Sequence, residues 1–195
     1  MPIESGADLI IALLYAPGNT GKPSEEIRGI TRMEKLLFLL LKEAGFEKKT
    51  GGELVYEAYD FGPYSGEVVD ILDALKADGL VAGRIEELQS YSEVVDGLMA
   101  TGRYEESAGE KPRTVEIYGL SERGKRVGGA LFSGLVSEER RALQSIKKRF
   151  NAVELNQLLE YVYENYPEMV RKSKILDQIL GFGSRPNLPA FEHSE

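Results

Sequence analysis

Residues 30–45 read ITRMEKLLFLLLKEAG, and the rest of the chain is best interpreted around them. The apolar run at 36–41 covers every side of a helix, so that no polar stripe is left to face water. Thr31 and Glu34 fit a T-x-x-E capping box at its start, and Gly45 fits the position just past its end. The sequence therefore predicts a central helix buried on nearly all sides.

The segment before this helix is predicted to form a second, packed surface helix. In MPIESGADLIIALLYAPG (1–18), apolar residues recur at helical spacing, Ser5 can cap the start, and Pro17-Gly18 can stop the helix. No cationic region precedes the apolar stretch, which is also too short to span a bilayer. We therefore expect neither a signal peptide nor a membrane span, and a cytoplasmic location. The linker GNTGKPSEE (18–26) is predicted to be an exposed loop.

Downstream of residue 45, strand-like and helix-like patterns alternate. In order, they are a strand ELVYEAYD (53–60), a turn FGPYS (61–65), a helix capped by Ser65 and ended by Asp78-Gly79, a strand from Leu80, a polar loop (86–113), and a strand TVEIY (114–118). Within the loop, SEVVDGLMA (92–100) has a weak helical pattern. Helices are then predicted at 121–132, 137–149, 152–165 and 173–180, before a Gly/Pro-rich tail.

This order of elements predicts an α+β, mostly helical fold with a winged helix-turn-helix-like core. The two strands around the polar loop would form the ribbon whose loop projects as the wing, and the helix after Leu120-Ser121 would lock the ribbon down. A generic α+β domain is the alternative. We divide the chain into a winged-helix-like domain (1–134), a C-terminal helical extension packed on it (135–182) and a flexible tail (183–195).

Three segments carry a family resemblance: GITRMEKLLFLLLKEAG (29–45), YDFGPYSGEVVDILDALKADGLV (59–81) and VEIYGLSERGKRV (115–127). In this order they resemble the Panacea-domain family, which includes SocA-like antitoxins and proteins labelled phage-associated. The most distinctive parts are the run from Thr31 to Phe38 and the turn from Phe61 to Ser65. The resemblance implies a small winged-helix-like fold and a role as an antitoxin, a toxin-neutralising partner or a protease adaptor.

The helix after the FGPYS turn is acidic where a DNA-reading helix would be basic. It carries four carboxylates against Lys76 alone, in a chain of net charge −8, and it has no arginine, asparagine or glutamine to read a base. We therefore predict contact with a basic partner protein through the aromatic turn and this helix. The predicted partner-binding residues are Tyr59, Tyr64, Glu67, Asp70 and Asp73; Phe61 is assigned to the core, and Tyr64 fits either role.

One region has the opposite charge and keeps a second hypothesis open, a DNA-binding transcriptional regulator. Eight basic residues stand against three acidic ones between Glu122 and Arg149. The possible nucleic-acid contacts are Arg123, Lys125, Arg126, Arg140, Arg141, Lys147, Lys148 and Arg149. These side chains would form an electrostatic patch with the wing, or else a solvated helical face.

The sequence favours no enzyme. There is no cysteine, and the single histidine, His193, is the third residue from the end of the chain. Asp70 and Asp73 share a helical face but lack further ligands, so we predict no catalytic residue, no metal site and no cofactor. A metal-dependent hydrolase remains a third hypothesis, and the oligomeric state, including a homo-oligomer, stays open.

Overall fold

The computed structural model describes residues 2–87 and 114–173, together with residues 175, 176 and 179. Its elements, in chain order, are α1 (Gly6–Tyr15), β1 (Ile27–Arg28), α2 (Ile30–Ala44), a 3-10 turn (Phe46–Lys48), β2 (Glu57–Tyr59), β3 (Gly62–Tyr64), α3 (Gly66–Ala77), β4 (Val81–Glu87), β5 (Thr114–Leu120), α4 (Glu122–Gly134), α5 (Ser137–Phe150), α6 (Leu155–Asn165) and a second 3-10 turn (Pro167–Met169). The predicted α+β, mostly helical class is confirmed.

Helix α2 lies at the centre of the fold, as predicted. Every residue from 31 to 41 is buried, and Gly45 ends the helix in the left-handed conformation, with φ +71°. The predicted capping box is wrong, because the helix begins at Ile30, with Gly29 at the N-cap, and no side chain caps it. Thr31 therefore lies inside the first turn, and Glu34 is buried.

Helix α1 is part of the same core. Ser5 caps it as predicted, since its hydroxyl accepts a hydrogen bond of 3.1 Å from the backbone N–H of Asp8. Residues 9–14 each expose 4% of their surface or less, so α1 is more deeply buried than the surface helix that we expected. The apolar run before Pro17 thus packs on all sides rather than along one stripe.

The strands form two small antiparallel sheets. The first has the order β1-β5-β4, in which β4 and β5 pair from Val81 with Leu120 to Glu87 with Thr114. This pairing contains the ribbon that the sequence predicted. The connecting segment at 88–113, with its predicted weak helix, lies outside the described residues.

The second sheet is a tight hairpin of β2 and β3, in which Glu57 pairs with Tyr64 and Tyr59 with Gly62. The predicted strand at 53–60 is therefore shorter than expected, and part of the predicted FGPYS turn is itself a strand. Gly62 has a φ of +86°, and a Cβ atom there would lie 2.9 Å from Cε1 of Tyr163. Only glycine allows both this backbone conformation and this close packing.

The C-terminal helices share the core with the rest. Side chains of α5 and α6 belong to the same apolar cluster as those of α1 and α2, among them Leu143, Ile146 and Leu158. The boundary at 134/135 stays a prediction. Most of the helix predicted at 173–180, and the tail at 183–195, lie outside the described residues. Among the described helices, none is both long enough and apolar enough to cross a membrane.

Candidate partner-binding surface

The β2–β3 hairpin brings Tyr59 and Tyr64 together at the protein surface. Their ring centroids lie 5.0 Å apart, with an angle of 35° between the rings. Tyr59 is 44% exposed and Tyr64 is half-buried. The antiparallel register of the hairpin explains this contact, since side chains two residues apart on paired strands come within reach of each other. Phe61, between them in sequence, is buried in the core, as predicted.

Helix α3, which begins directly after the hairpin, carries three predicted contact residues, all of them carboxylates. Asp70 and Asp73 are exposed on α3, and Glu67, half-buried, accepts a hydrogen bond of 2.8 Å from the hydroxyl of Ser65. Ser65 is the N-cap residue, as predicted, but its hydroxyl contacts this carboxylate and not a backbone N–H of the helix. The three acids recur every third residue, so they follow one side of α3.

Sequence reasoning missed one member of the surface, Glu57. It is exposed and pairs directly across the hairpin with Tyr64. The period-2 register of a hairpin could have found it, had the turn been placed at Asp60-Phe61. We call the set of Glu57, Tyr59, Tyr64, Glu67, Asp70 and Asp73 the acidic-aromatic surface.

The pKa of the Tyr64 hydroxyl reports the charge of this surface. Burial raises this pKa above its usual value, and the carboxylates of Glu34, Asp70 and Glu57 raise it further, together with Tyr59. Negative charge from three elements, α2, α3 and β2, therefore converges on one phenol. A cationic group bound beside the Tyr64 hydroxyl would be attracted by these carboxylates.

The single cation of α3, Lys76, pairs with Asp73 at the end of the acidic-aromatic surface and points away from Glu67 and Asp70. The ammonium group of Lys76 lies 2.8 Å from Glu116 and 3.4 Å from Asp73, and 5.0 Å from the centre of the Tyr118 ring. Lys76 thus points toward strand β5. The side of α3 that carries Glu67 and Asp70 keeps its negative charge.

A buried ion pair lies beneath the hairpin. Lys35 donates a hydrogen bond of 2.9 Å to the carbonyl oxygen of Pro63, and its Nζ lies 3.5 Å from Oε2 of Glu34. Lys35 and Glu34 are 1% and 4% exposed. Tyr56 donates a further hydrogen bond, of 2.9 Å, to the carbonyl oxygen of Glu34. These polar contacts join α2 to the hairpin.

Burial changes the protonation of both members of the pair. Burial raises the pKa of Glu34 to about 7, although Lys35 opposes the rise. Burial also lowers the pKa of Lys35, which Glu34 opposes in turn. Oε1 of Glu34 is buried without a hydrogen-bond partner among the described residues. With a pKa of about 7, the carboxyl of Glu34 is protonated in a large fraction of molecules near neutral pH, because burial disfavours its charged form more than Lys35 stabilises it.

The basic residues of α4 and α5 do not form one open patch. Lys147 is fully buried and donates two hydrogen bonds of 2.9 Å, to the carbonyl oxygens of Leu13 and Leu14. Its assignment as a surface contact for nucleic acid is therefore wrong. Lys147 closes the C-terminal end of α1, where a helix leaves carbonyl groups unpaired.

Several other members have partners within the protein. Arg123 donates a hydrogen bond of 2.7 Å to the carbonyl oxygen of Asp78, just past the end of α3. The guanidinium carbon of Arg149 lies 4.4 Å from the centre of the Tyr161 ring. The remaining short contacts are Lys125 with Glu122, Arg141 with Glu138, and Arg140 with the carbonyl oxygen of Ser133. These contacts are exposed, so each contributes little to stability.

Arg126 and Lys148 are exposed, and no salt bridge to either occurs in the described part of the chain. They are the members of the predicted basic set that stay most accessible to an external anion. Two such side chains form a smaller positive region than the eight that the sequence suggested.

No group of three or more histidine, aspartate or glutamate side chains arranged to hold a metal ion occurs among the residues described. Comparison with known proteins gives no identity: the chain matches no protein-family model, no curated protein and no solved structure. The resemblance to Panacea-domain proteins therefore stays a prediction. The contacts and charges of the acidic-aromatic surface are the basis for proposing a function.

Proposed function

We propose that this protein is a non-enzymatic, winged-helix-like interaction protein, similar to Panacea-domain antitoxins, that binds a basic partner protein. Its working surface is the acidic-aromatic surface. The observation that carries the proposal is the pair of exposed Tyr59 and half-buried Tyr64, packed at 5.0 Å, with the carboxylates of Glu57 and Asp70 acting on the Tyr64 hydroxyl. Aromatic rings supply buried area at low entropic cost, and the carboxylates select a cationic partner.

The winged-helix-like part of the proposal is supported by the arrangement around β4 and β5. The two strands pair over seven residues, and α4 follows at once, capped by the hydroxyl of Ser121, which accepts a hydrogen bond of 2.9 Å from the N–H of Gly124. Ser121 also donates a hydrogen bond of 2.7 Å to the carbonyl oxygen of Gly79. Helix α4 is thereby fixed to the end of α3, as a helix that locks a wing ribbon would be.

The charge of α3 favours a protein partner over DNA. In a winged helix that reads DNA, this helix would enter the major groove, where carboxylates are repelled by phosphates. A partner that presents arginine or lysine gains both the attraction of the carboxylates and contact with the faces of the tyrosine rings.

The binding test uses an arginine-rich peptide and a DNA duplex as probes, with affinity measured by fluorescence anisotropy at two salt concentrations. We expect the peptide to bind, and the double variant D70N/D73N to bind it at least about tenfold more weakly. The matched control is E160Q/E164Q, which removes two exposed charges from α6 and should change the affinity little. Equal losses in the two variants would show only non-specific charge attraction, and would contradict the proposal.

The second candidate function, DNA binding through α4 and α5, is favoured by the exposure of Arg126 and Lys148. It predicts that the duplex binds more tightly than the peptide, with an affinity that falls as salt rises because counterions are released. Under this function R126Q/K148Q weakens DNA binding, whereas D70N/D73N does not.

A further inference from the structure

The loop between α1 and β1 holds a carboxylate in a way that neither proposed function uses. Three successive backbone N–H groups, of Gly18, Asn19 and Thr20, donate hydrogen bonds of 2.9, 3.0 and 2.8 Å to the carboxylate of Glu25. The hydroxyl of Thr20 adds a fourth, of 2.6 Å. Successive N–H groups that converge on one point form an anion-binding concavity, which we call the loop nest.

The electrostatics of the loop favour a negative charge in this position. Burial alone would raise the pKa of Glu25, but hydrogen bonds from Thr20 and Gly18 outweigh it, so that the pKa lies below its usual value. Lys147, behind the loop, contributes to this decrease. Lys22, in the loop itself, is exposed, and no salt bridge to it occurs in the described part of the chain.

The occupant of the loop nest is a peripheral side chain. Glu25 is half-buried, and the loop residues from Asn19 to Lys22 are exposed, so Glu25 can leave without any opening of the apolar core. Ser24, which precedes it, has a φ of +63°, a conformation that costs free energy in any residue other than glycine. Departure of Glu25 would leave four donors free to bind another anion.

We propose that the loop nest is a binding site for an oxyanion, a phosphate monoester or a carboxylate, and that Glu25 is an internal occupant that the ligand displaces. The Gly18 position is suited to this exchange. A Cβ atom there would lie 2.5 Å from Oε2 of Glu25, so glycine is needed for any carboxylate or phosphate oxygen to approach the backbone this closely. Two or three oxygens of a phosphate match donors spread over three consecutive residues.

Inorganic phosphate is the probe, and the amide NMR signals of residues 18–20 are the readout. In E25A the nest lacks its internal occupant, and we expect phosphate to shift these three signals in a saturable way. In the wild type, the tethered carboxylate competes at an effective concentration on the order of millimolar, so the same shifts should need at least about tenfold more phosphate. A parallel titration with acetate tells a phosphate site from a carboxylate site.

The matched control is E26A, which removes the same charge at the next residue. Glu26 contacts Arg84, at 2.9 Å, and not the nest, so E26A should respond to phosphate as the wild type does. If E25A does not fold, E25S also leaves the nest without its internal occupant and carries the same test. An E25A or E25S protein whose signals at 18–20 do not respond to phosphate or acetate, or an E26A protein that responds as E25A does, would overturn the proposal and leave Glu25 as a loop clamp.

Discussion

The ammonium group of Lys35 on α2 donates a hydrogen bond of 2.9 Å to the carbonyl oxygen of Pro63 on β3. The bond joins the central helix of the core to the hairpin that carries the two surface tyrosines. The two sequence segments concerned, at 31–38 and 61–65, are also those on which the predicted resemblance to Panacea-domain proteins mainly rests. The finding gives both segments a structural role: one supplies a buried cation and the other a carbonyl group that receives it.

Replacing Lys35 by methionine should destabilise the protein strongly. The substitution keeps the side-chain length but leaves the carboxylate of Glu34 and the carbonyl of Pro63 without their buried donor. Removing one member of a buried pair costs about 3 kcal/mol or more in the free energy of unfolding, which urea denaturation at about pH 8 measures. The control is K42M, on the same helix, which removes an exposed contact of 2.9 Å with Glu47 and should cost less than about 1 kcal/mol. Equal losses would mean that Lys35 does not clamp the hairpin.

Replacing Gly62 by alanine should destabilise the hairpin for two separable reasons. The backbone φ of +86° is unfavourable for alanine, and the new methyl group would lie 2.9 Å from the Tyr163 ring. We expect a loss of about 2 kcal/mol or more in the free energy of unfolding. G51A measures the first contribution alone, because Gly51 has a φ of +61° and open space around it. If G62A loses no more than G51A, close packing against Tyr163 is not required.

Much of the helical architecture was predictable because the signals are local. The apolar run at 36–41 can be satisfied only by burial on all sides, and Ser5, Gly45 and Ser121 cap helices through bonds to residues three to five positions away. The failed capping box at Thr31 shows the limit of such signals. The helix begins before Thr31, so Glu34 lies inside it, and its carboxyl group contacts Lys35 instead of the helix end.

The charge distribution was less predictable, because it depends on contacts between distant segments. The sequence placed Lys147 in a basic helical face, yet it lies against the end of α1, more than a hundred residues away in the chain. Likewise, Glu57 joins the acidic-aromatic surface through the register of the hairpin. The sequence predicted the turn at 61–65, whereas it lies at Asp60-Phe61. The tyrosine pair itself was found, because both rings flank the same bend.

The stability contributed by Lys147 should depend on pH. Burial lowers the pKa of Lys147 to about 7 in the folded protein, whereas an unfolded lysine titrates near its usual value of 10.5. Between these values the unfolded chain binds more protons, so the free energy of unfolding rises with pH by at most about 1.4 kcal/mol per pH unit. The neutral amine still has two N–H groups for the carbonyls of Leu13 and Leu14.

Urea denaturation at several pH values from about 6 to 10 measures this linkage. The wild type should gain stability relative to K147M across that range, since methionine cannot titrate. K148M changes the exposed neighbour and should keep the pH dependence of the wild type. A constant difference between wild type and K147M would show that Lys147 keeps its usual pKa.

The last prediction concerns the two tyrosines, because charge alone could attract a basic partner to any acidic protein. If the rings form the centre of the interface, Y59A should weaken binding of the arginine-rich peptide by roughly tenfold or more. Tyr59 is 44% exposed and packs on Tyr64, so the substitution should lower the free energy of unfolding by about 1 kcal/mol, too little to unfold the protein. I85A is the control, since Ile85 on β4 is 66% exposed and lies outside the acidic-aromatic surface.

Anisotropy measured at high as well as low salt separates the two contributions: attraction by the carboxylates weakens as salt screens them, whereas ring contact persists. Unchanged peptide binding in Y59A would contradict a central role for the rings and would leave the carboxylates as the binding determinant.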